Sequence, residues 1–259
     1  MMIILSPSKG QAFDHPAPVT THTLPDHLVQ SKKLIGELKK MKVPDLQLLM
    51  SVSEKIAALN VKRYRDFSTP FTPRNAKQAL FAFMGDVYSQ IPASSYSKAD
   101  LTYAQNHLRI LSGLYGTLRP LDLIQPYRLE MKTKLKTTIG DNLYQFWGER
   151  ITDSLNMGLE ALKDPVLVNL ASNEYFKALK LKRLKGRLLT IQFKEVINGK
   201  SRVIAIFAKR ARGMMAHYLL KNRIENPEQA KRFDRAGYRF SKNDSDDKNW
   251  LFVRPQPAS

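Results

Sequence analysis

Two nearly unbroken apolar runs of strand length, residues 3–5 and 166–170, constrain this chain more than any other feature. A strand without polar alternation has no face to give to water, so each belongs in the interior of a sheet covered by other elements. The covering elements are legible around them. Leu28, Leu34, Ile35 and Leu38 recur at helical spacing within 27–40 while lysines fill the opposite face. Pro44 opens a second helix with Leu46, Leu49 and Met50 inward, and a third spans 54–67 with Ile56, Ala57, Val61 and Tyr64 inward.

Thr72-Pro73 supplies an N-cap and a proline at the first helical position, which predicts a helix over 74–83. Further helices are expected over 97–108, 142–162 and 209–223. Residues 109–131 read as a buried irregular segment, because Gly113, Gly116, Pro120 and Pro126 interrupt any regular element among large apolar side chains. Asn198-Gly199 joins two β-rich runs, 187–197 and 201–208, as a hairpin. The tail, with Tyr238, Phe240, Trp250, Phe252 and Val253, adds two short strands around a polar loop at 243–248. With 43% hydrophobic residues, 259 residues can bury a full core. The expected fold is mixed α/β (α+β): residues 1–259 as one compact domain, a central mixed sheet wrapped by helices.

The chain has no cysteine, which excludes disulfides, thiolate metal sites, iron–sulfur clusters and thiol redox sensing. His15, His22, His27, His107 and His217 show no i, i+3 or i, i+4 pairing, so neither a bound metal nor another cofactor is expected. The first apolar run is too short for a secretion signal, and no stretch approaches the roughly 20 apolar residues of a membrane span. A cytoplasmic protein, monomeric and without a membrane partner, is expected.

Charge points to the partner. The formal net charge is +19, a field that attracts polyanions. Leu49-Met50-Ser51-Val52-Ser53-Glu54-Lys55-Ile56-Ala57, between two expected helices, has the small-hydrophobic-small turn of a helix-hairpin-helix element over about 44–67. Small residues let the backbone approach a phosphate at the positive end of the second helix. Here serines occupy the usual glycine positions, and Lys55, Lys62, Arg63 and Arg65 follow. The alternative for this stretch is an ordinary helical hairpin with Ser53 as an N-cap. A second basic block, 177–223, contains Lys177, Lys180, Lys182, Arg183, Lys185, Arg187, Lys194, Arg202, Lys209, Arg210 and Arg212, and Glu195 is the carboxylate among them. Phosphate contact, with salt-dependent affinity, is the expected use of such an imbalance.

A third set of motifs runs along the whole chain: Ser6-Pro7-Ser8-Lys9, Gly85-Asp86-Val87-Tyr88, Leu111-Ser112-Gly113-Leu114-Tyr115-Gly116, Arg119-Pro120-Leu121-Asp122, Gln125-Pro126-Tyr127-Arg128, Tyr144-Gln145-Phe146-Trp147-Gly148 and Asn169-Leu170-Ala171-Ser172-Asn173-Glu174-Tyr175. In this order they resemble the YaaA family of bacterial peroxide-stress proteins. The resemblance implies a single mixed α/β domain with a helix-hairpin-helix element, a positively charged cleft, duplex DNA binding, and a role in limiting damage from hydrogen peroxide and free iron. It carries over no catalytic residue.

The leading expectation is therefore a non-catalytic protein that grips double-stranded DNA, including distorted or partly single-stranded forms. Ser51, Ser53, Lys55, Lys62, Arg63, Arg119, Arg128, Lys177, Lys209, Arg210 and Arg212 would contact the backbone. The alternative is an enzyme acting on a nucleotide, nucleobase or other anionic small molecule. Its pocket would use Lys9, Asp86, Tyr88, Tyr115, Asp122, Tyr127, Glu130 and Glu174 with Arg128. Ion pairs of Asp86, Asp122 and Glu130 with Arg119 and Arg128 are the structural reading of the same carboxylates.

Overall fold

A computed structural model describes residues 1–256. Strand β1 (Met2–Leu5) is buried along its whole length. It is followed by three helices, α1 (Leu28–Lys39), α2 (Val43–Met50) and α3 (Glu54–Asp66). Next come β2 (Lys77–Gln78), α4 (Ala79–Ala82), α5 (Lys98–His107), β3 (Leu108–Ser112), β4 (Gly116–Leu118) and β5 (Leu123–Ile124). Helices α6 (Leu143–Trp147) and α7 (Arg150–Glu160) lead to β6 (Val166–Asn169) and the short helix α8 (Asn173–Phe176). The chain ends with β7 (Arg187–Ile197), β8 (Lys200–Arg202), helix α9 (Ala205–Lys221), β9 (Arg239–Ser241) and β10 (Asn249–Pro255).

One mixed sheet organises the molecule, in the order β4-β3-β1-β6-β7-β10-β9, with β8 paired to the end of β7. The central strands β3, β1, β6, β7 and β10 are parallel, and β4, β8 and β9 close the sheet with antiparallel pairings. The apolar runs at β1 and β6 are neighbours in the middle of it, Ile4 opposite Asn169. Helices flank the sheet, and one contiguous hydrophobic core joins most of these elements, while β8 is exposed along its length. Strand β7 differs from β1 and β6 in alternating along its length, with Leu189, Ile191, Phe193 and Glu195 on the buried side.

Several expectations need correction. No helix spans 74–83: Thr72 and Asn75 form a local turn, the Thr72 amide donating to Asn75 Oδ1 at 2.8 Å. Lys77 and Gln78 then pair with β5, and only four helical residues follow. The long helix over 142–162 is two helices, because Gly148 takes φ +54°, a conformation no right-handed helix continues through. Residues 109–131 are less irregular than expected, since they hold three short strands. Asn198 and Gly199 do turn the β7–β8 hairpin with positive φ at both residues, but β8 stops at Arg202 and α9 begins at Ala205.

Candidate functional site

The strand order places a crevice at the centre of the sheet. From β1 the chain crosses to β3 on one side, and the later β6 pairs with β1 on the other. Connections leaving in opposite directions part the loops at the carboxyl ends of β1 and β6. Such a switch point is where open parallel sheets bind ligands.

A cavity of about 430 Å³ lies there. Its floor is the loop Ser6–Lys9 after β1, held to the loop after β6: Ser6 Oγ accepts the Ser172 amide at 2.8 Å and donates to Ser172 Oγ at 3.2 Å. Tyr88 Oη donates to the Ser6 carbonyl at 2.8 Å. One wall is the segment Met84–Tyr88, where Gly85 takes φ +97° beside Ser8. A second wall is the run Tyr127–Glu130, whose Tyr127 amide donates to Gln11 Oε1 at 3.0 Å. Helix α9 supplies the third, with Lys209 and Arg212. That helix comes close enough because Gly213 has no side chain: a Cβ there would meet the Val87 carbonyl oxygen at 2.0 Å.

The electrostatics of this cavity are cationic. Lys9, Arg128, Lys132, Lys209 and Arg212 line it against Asp86, Glu130 and Glu174. Glu130 is held by Lys9 at 2.7 Å and by Arg128 at 3.6 Å. Asp86 lies 3.5 Å from Arg210, at the mouth. One Glu174 carboxylate oxygen accepts the Lys132 amide at 3.2 Å. Burial pushes the hydroxyls of Tyr88, Tyr127 and Tyr175 well above the ordinary phenol range, so they are neutral hydrogen-bonding groups and not bases near pH 7.

Of the residues expected in a pocket, Lys9, Asp86, Tyr88, Tyr127, Glu130, Glu174 and Arg128 meet here. Tyr115 and Asp122 do not. Tyr115 is in the core, edge-on to Phe71 and Tyr127, and accepts the Gln125 amide at 3.0 Å. Asp122 is buried elsewhere and accepts from Thr23 Oγ1 at 2.5 Å and from the Arg119 amide at 2.7 Å. Arg119 is spent on that carboxylate and on Asp26 at 3.2 Å. The expected Arg119–Asp122 and Arg128–Glu130 ion pairs form, while Asp86 pairs with Arg210.

The basic block is also less lopsided in space than in sequence. Arg183 reaches Glu149 and Asp153 at 3.4 and 3.1 Å, and Lys185 pairs with Glu160. Carboxylates remote in sequence thus neutralise part of it. Lys177 and Lys209 are exposed, with no carboxylate within ion-pair distance among the described residues.

Ser51 and Ser53 lie in the three-residue turn between the packed helices α2 and α3. Ser51 holds the left-handed conformation itself, φ 51° and ψ 57°, and Ser53 is extended at the N-cap of α3. The Ser53 side chain makes no capping hydrogen bond. Lys55 and Lys62 are exposed on α3, Lys62 paired with Asp66 at 2.5 Å. Arg63 is half-buried beside Tyr64, whose hydroxyl donates to the Arg128 carbonyl, so the inner end of α3 abuts the pocket wall.

Residue-by-residue reading overlooked Lys132, Ser6, Ser172 and Gly213. Ser6 and Ser172 lie inside the Ser6–Lys9 and Asn169–Tyr175 motifs, and a glycine in a helix interior, costly by propensity, was the signal for close packing at Gly213. Lys132 gave no signal of its own.

Fold and site together define an α/β protein with a cation-rich pocket at the switch point of its sheet. A family model for the peroxide stress protein YaaA matches residues 1–244. UPF0246 proteins of Acaryochloris marina and Ralstonia nicotianae are 52% and 50% identical over 254 residues, 98% of this chain and 100% and 99% of theirs. A UPF0246 protein of Alteromonas mediterranea is 50% identical over 258 residues, the full length of both chains. The chain belongs to the YaaA family of peroxide stress proteins. Among the described residues no helix is long and apolar enough to cross a membrane.

Proposed function

We propose that this protein serves the peroxide stress response by binding the sugar-phosphate backbone of duplex DNA as a monomer, with the α2–α3 unit acting as a helix-hairpin-helix element. The observation that carries the reading is the start of α3, which no side chain caps, at a turn of two serines around Val52 in a chain of net charge +19. The first amides of a helix have no partner within it, and a phosphate oxygen satisfies them. Lys55 flanks that end, Arg63 extends the charge toward the pocket, and Lys62, Lys177, Lys209 and Arg210 widen the footprint.

This use of charge bears on peroxide chemistry. Ferrous ions held at DNA phosphates generate oxidants beside the sugars, and cationic side chains on the backbone displace such counterions. Protection follows from occupancy alone and needs no catalytic group.

Fluorescence anisotropy with a short duplex tests the proposal. Binding is expected at low salt, weakening as salt rises. Lys55→Glu with Lys62→Glu weakens it at least tenfold and lowers the slope of log K against log salt by about 1.8, close to 0.9 for each phosphate no longer neutralised. Absence of binding at low salt, or a slope unchanged by the double substitution, refutes the reading.

A further inference from the structure

Backbone binding engages the pocket between β1 and β6 only through Lys209, and the charges of the pocket are not balanced from within. Arg212 extends from α9 into the lining, half-buried, and no carboxylate among the described residues lies within ion-pair distance of it. Desolvation alone acts on its guanidinium and lowers its pKa. Arg128, also in the lining, reaches Glu130 with one terminal nitrogen, but its buried Nε has no acceptor among the described residues. A group buried in this state is costly to a fold, and a donor on the wall of a cavity can be completed by water or by a bound ligand.

Two of the three carboxylates are paired with cations, Glu130 with Lys9 and Arg128 and Asp86 with Arg210, while Glu174 accepts a hydrogen bond from the neutral Lys132 amide. Lys132, Lys209 and Arg212 have no carboxylate within ion-pair distance among the described residues, and the Glu174 charge offsets only one of the three. A carboxylate ligand brings one negative charge, whereas a phosphomonoester brings nearly two at neutral pH and offers three oxygens to guanidinium forks. The cavity, about 430 Å³, exceeds what an anion alone fills and falls in the range of small-molecule sites. Pro7, Met84, Val87, Leu129 and Leu170 give it an apolar side.

We infer that this pocket binds a phosphomonoester carried on an organic group of nucleoside size, with the phosphate at Arg212, Arg128 and Lys209 and the organic group against the apolar side. The same chemistry is offered by a free mononucleotide and by a 5′-phosphorylated DNA strand end. The site stands apart from the α2–α3 turn, so the inference goes beyond backbone binding and does not depend on it.

Isothermal titration of the full chain with the four ribonucleoside 5′-monophosphates, with the matching nucleosides and with inorganic phosphate decides the matter. At least one nucleotide is expected to bind ten times more tightly than its nucleoside. Arg212→Met reduces that affinity tenfold or more, and Arg128→Met does so independently. Because Arg212→Met also removes an uncompensated charge, its melting temperature holds or rises by about 2 °C, which removal of a structural ion pair would not produce. Lys55→Glu with Lys62→Glu leaves nucleotide affinity unchanged, so failure here and failure of duplex binding fall on separate measurements. Anisotropy with duplexes bearing or lacking 5′-phosphates identifies the source: a tenfold preference for phosphorylated ends assigns the site to DNA termini, and no preference assigns it to free nucleotides. No nucleotide binding below millimolar concentration, nucleotide and nucleoside binding alike, or wild-type affinity in both arginine variants overturns the inference.

Discussion

Two arginines in this molecule carry charge inward, with opposite outcomes. Arg254 on β10 lies in register with Glu195 on β7, and its Nε donates to that carboxylate at 3.3 Å. Tyr238 donates to the same carboxylate oxygen, and the guanidinium rests over the rings of Tyr238 and Phe207 at 4.4 and 4.8 Å. Arg212 on α9 enters the pocket and meets no carboxylate among the described residues. The first cation is completed by the chain and holds two strands together. The second leaves its partner to be supplied from outside. Burial of charge is therefore no guide to role by itself, and the presence or absence of a partner is what separates structure from binding.

The contrast breaks most visibly at Glu195. Arg254→Ala strands a fully buried carboxylate and is expected to cost about 3–5 kcal/mol, read by chemical denaturation, with duplex binding by the residual folded protein intact. Arg212→Ala, by the same measurement, changes stability by less than about 0.5 kcal/mol. Equal losses in the two variants would erase the distinction.

Gly213→Ala acts on the support of the pocket rather than its charge. The added methyl meets the Val87 carbonyl, α9 must shift, and about 1–3 kcal/mol of stability is lost. A thermal melt at wild-type temperature would show that the close approach is not needed.

Asp100 offers an intermediate case, a paired charge at the edge of the core. Hydrogen bonds from Lys221 at 2.6 Å and from Ser97 hold its carboxyl down to about 2. A carboxyl lowered on folding stabilises above its unfolded pKa, near 3.8, and that contribution is lost as pH falls through about 2. Lys221→Met is expected to cost about 1 kcal/mol at neutral pH and to move the acid transition upward. An acid transition that stays where it was would mean the pair contributes nothing.

The smallest effect is expected at the α2–α3 turn, where strain and not charge is stored. Ser51→Gly relieves the left-handed backbone and raises stability by about 0.5 kcal/mol, measured by urea titration. A loss of stability would show that the serine side chain holds the turn.

These contrasts were unequally legible. The alternation of β7 places Glu195 in phase with Leu189, Ile191 and Phe193, so its burial could be read from the sequence, but not the identity of Arg254 as its partner. The break at Gly148 and the missing helix over 74–83 were not legible, because a capping signal at Thr72-Pro73 yielded to pairing with β5, a strand some 45 residues away. Most pocket residues lay in motifs the sequence displayed. Their separation from Tyr115, Asp122 and Arg119, which the same motifs contain, required the fold.

What the sequence by itself determined is local: the two interior strands, the amphipathic helices, the Asn198-Gly199 hairpin, the net charge and the family. Periodicity and turn chemistry act between near neighbours, so they survive in the linear order of residues. What only the tertiary structure decided is which charges meet. Sheet order brings the ends of β1 and β6 together, distant carboxylates neutralise Arg183 and Lys185, and Arg212 is left facing a cavity. Charge acts through space over a few ångströms, and the chain order holds no record of those distances until the sheet has formed.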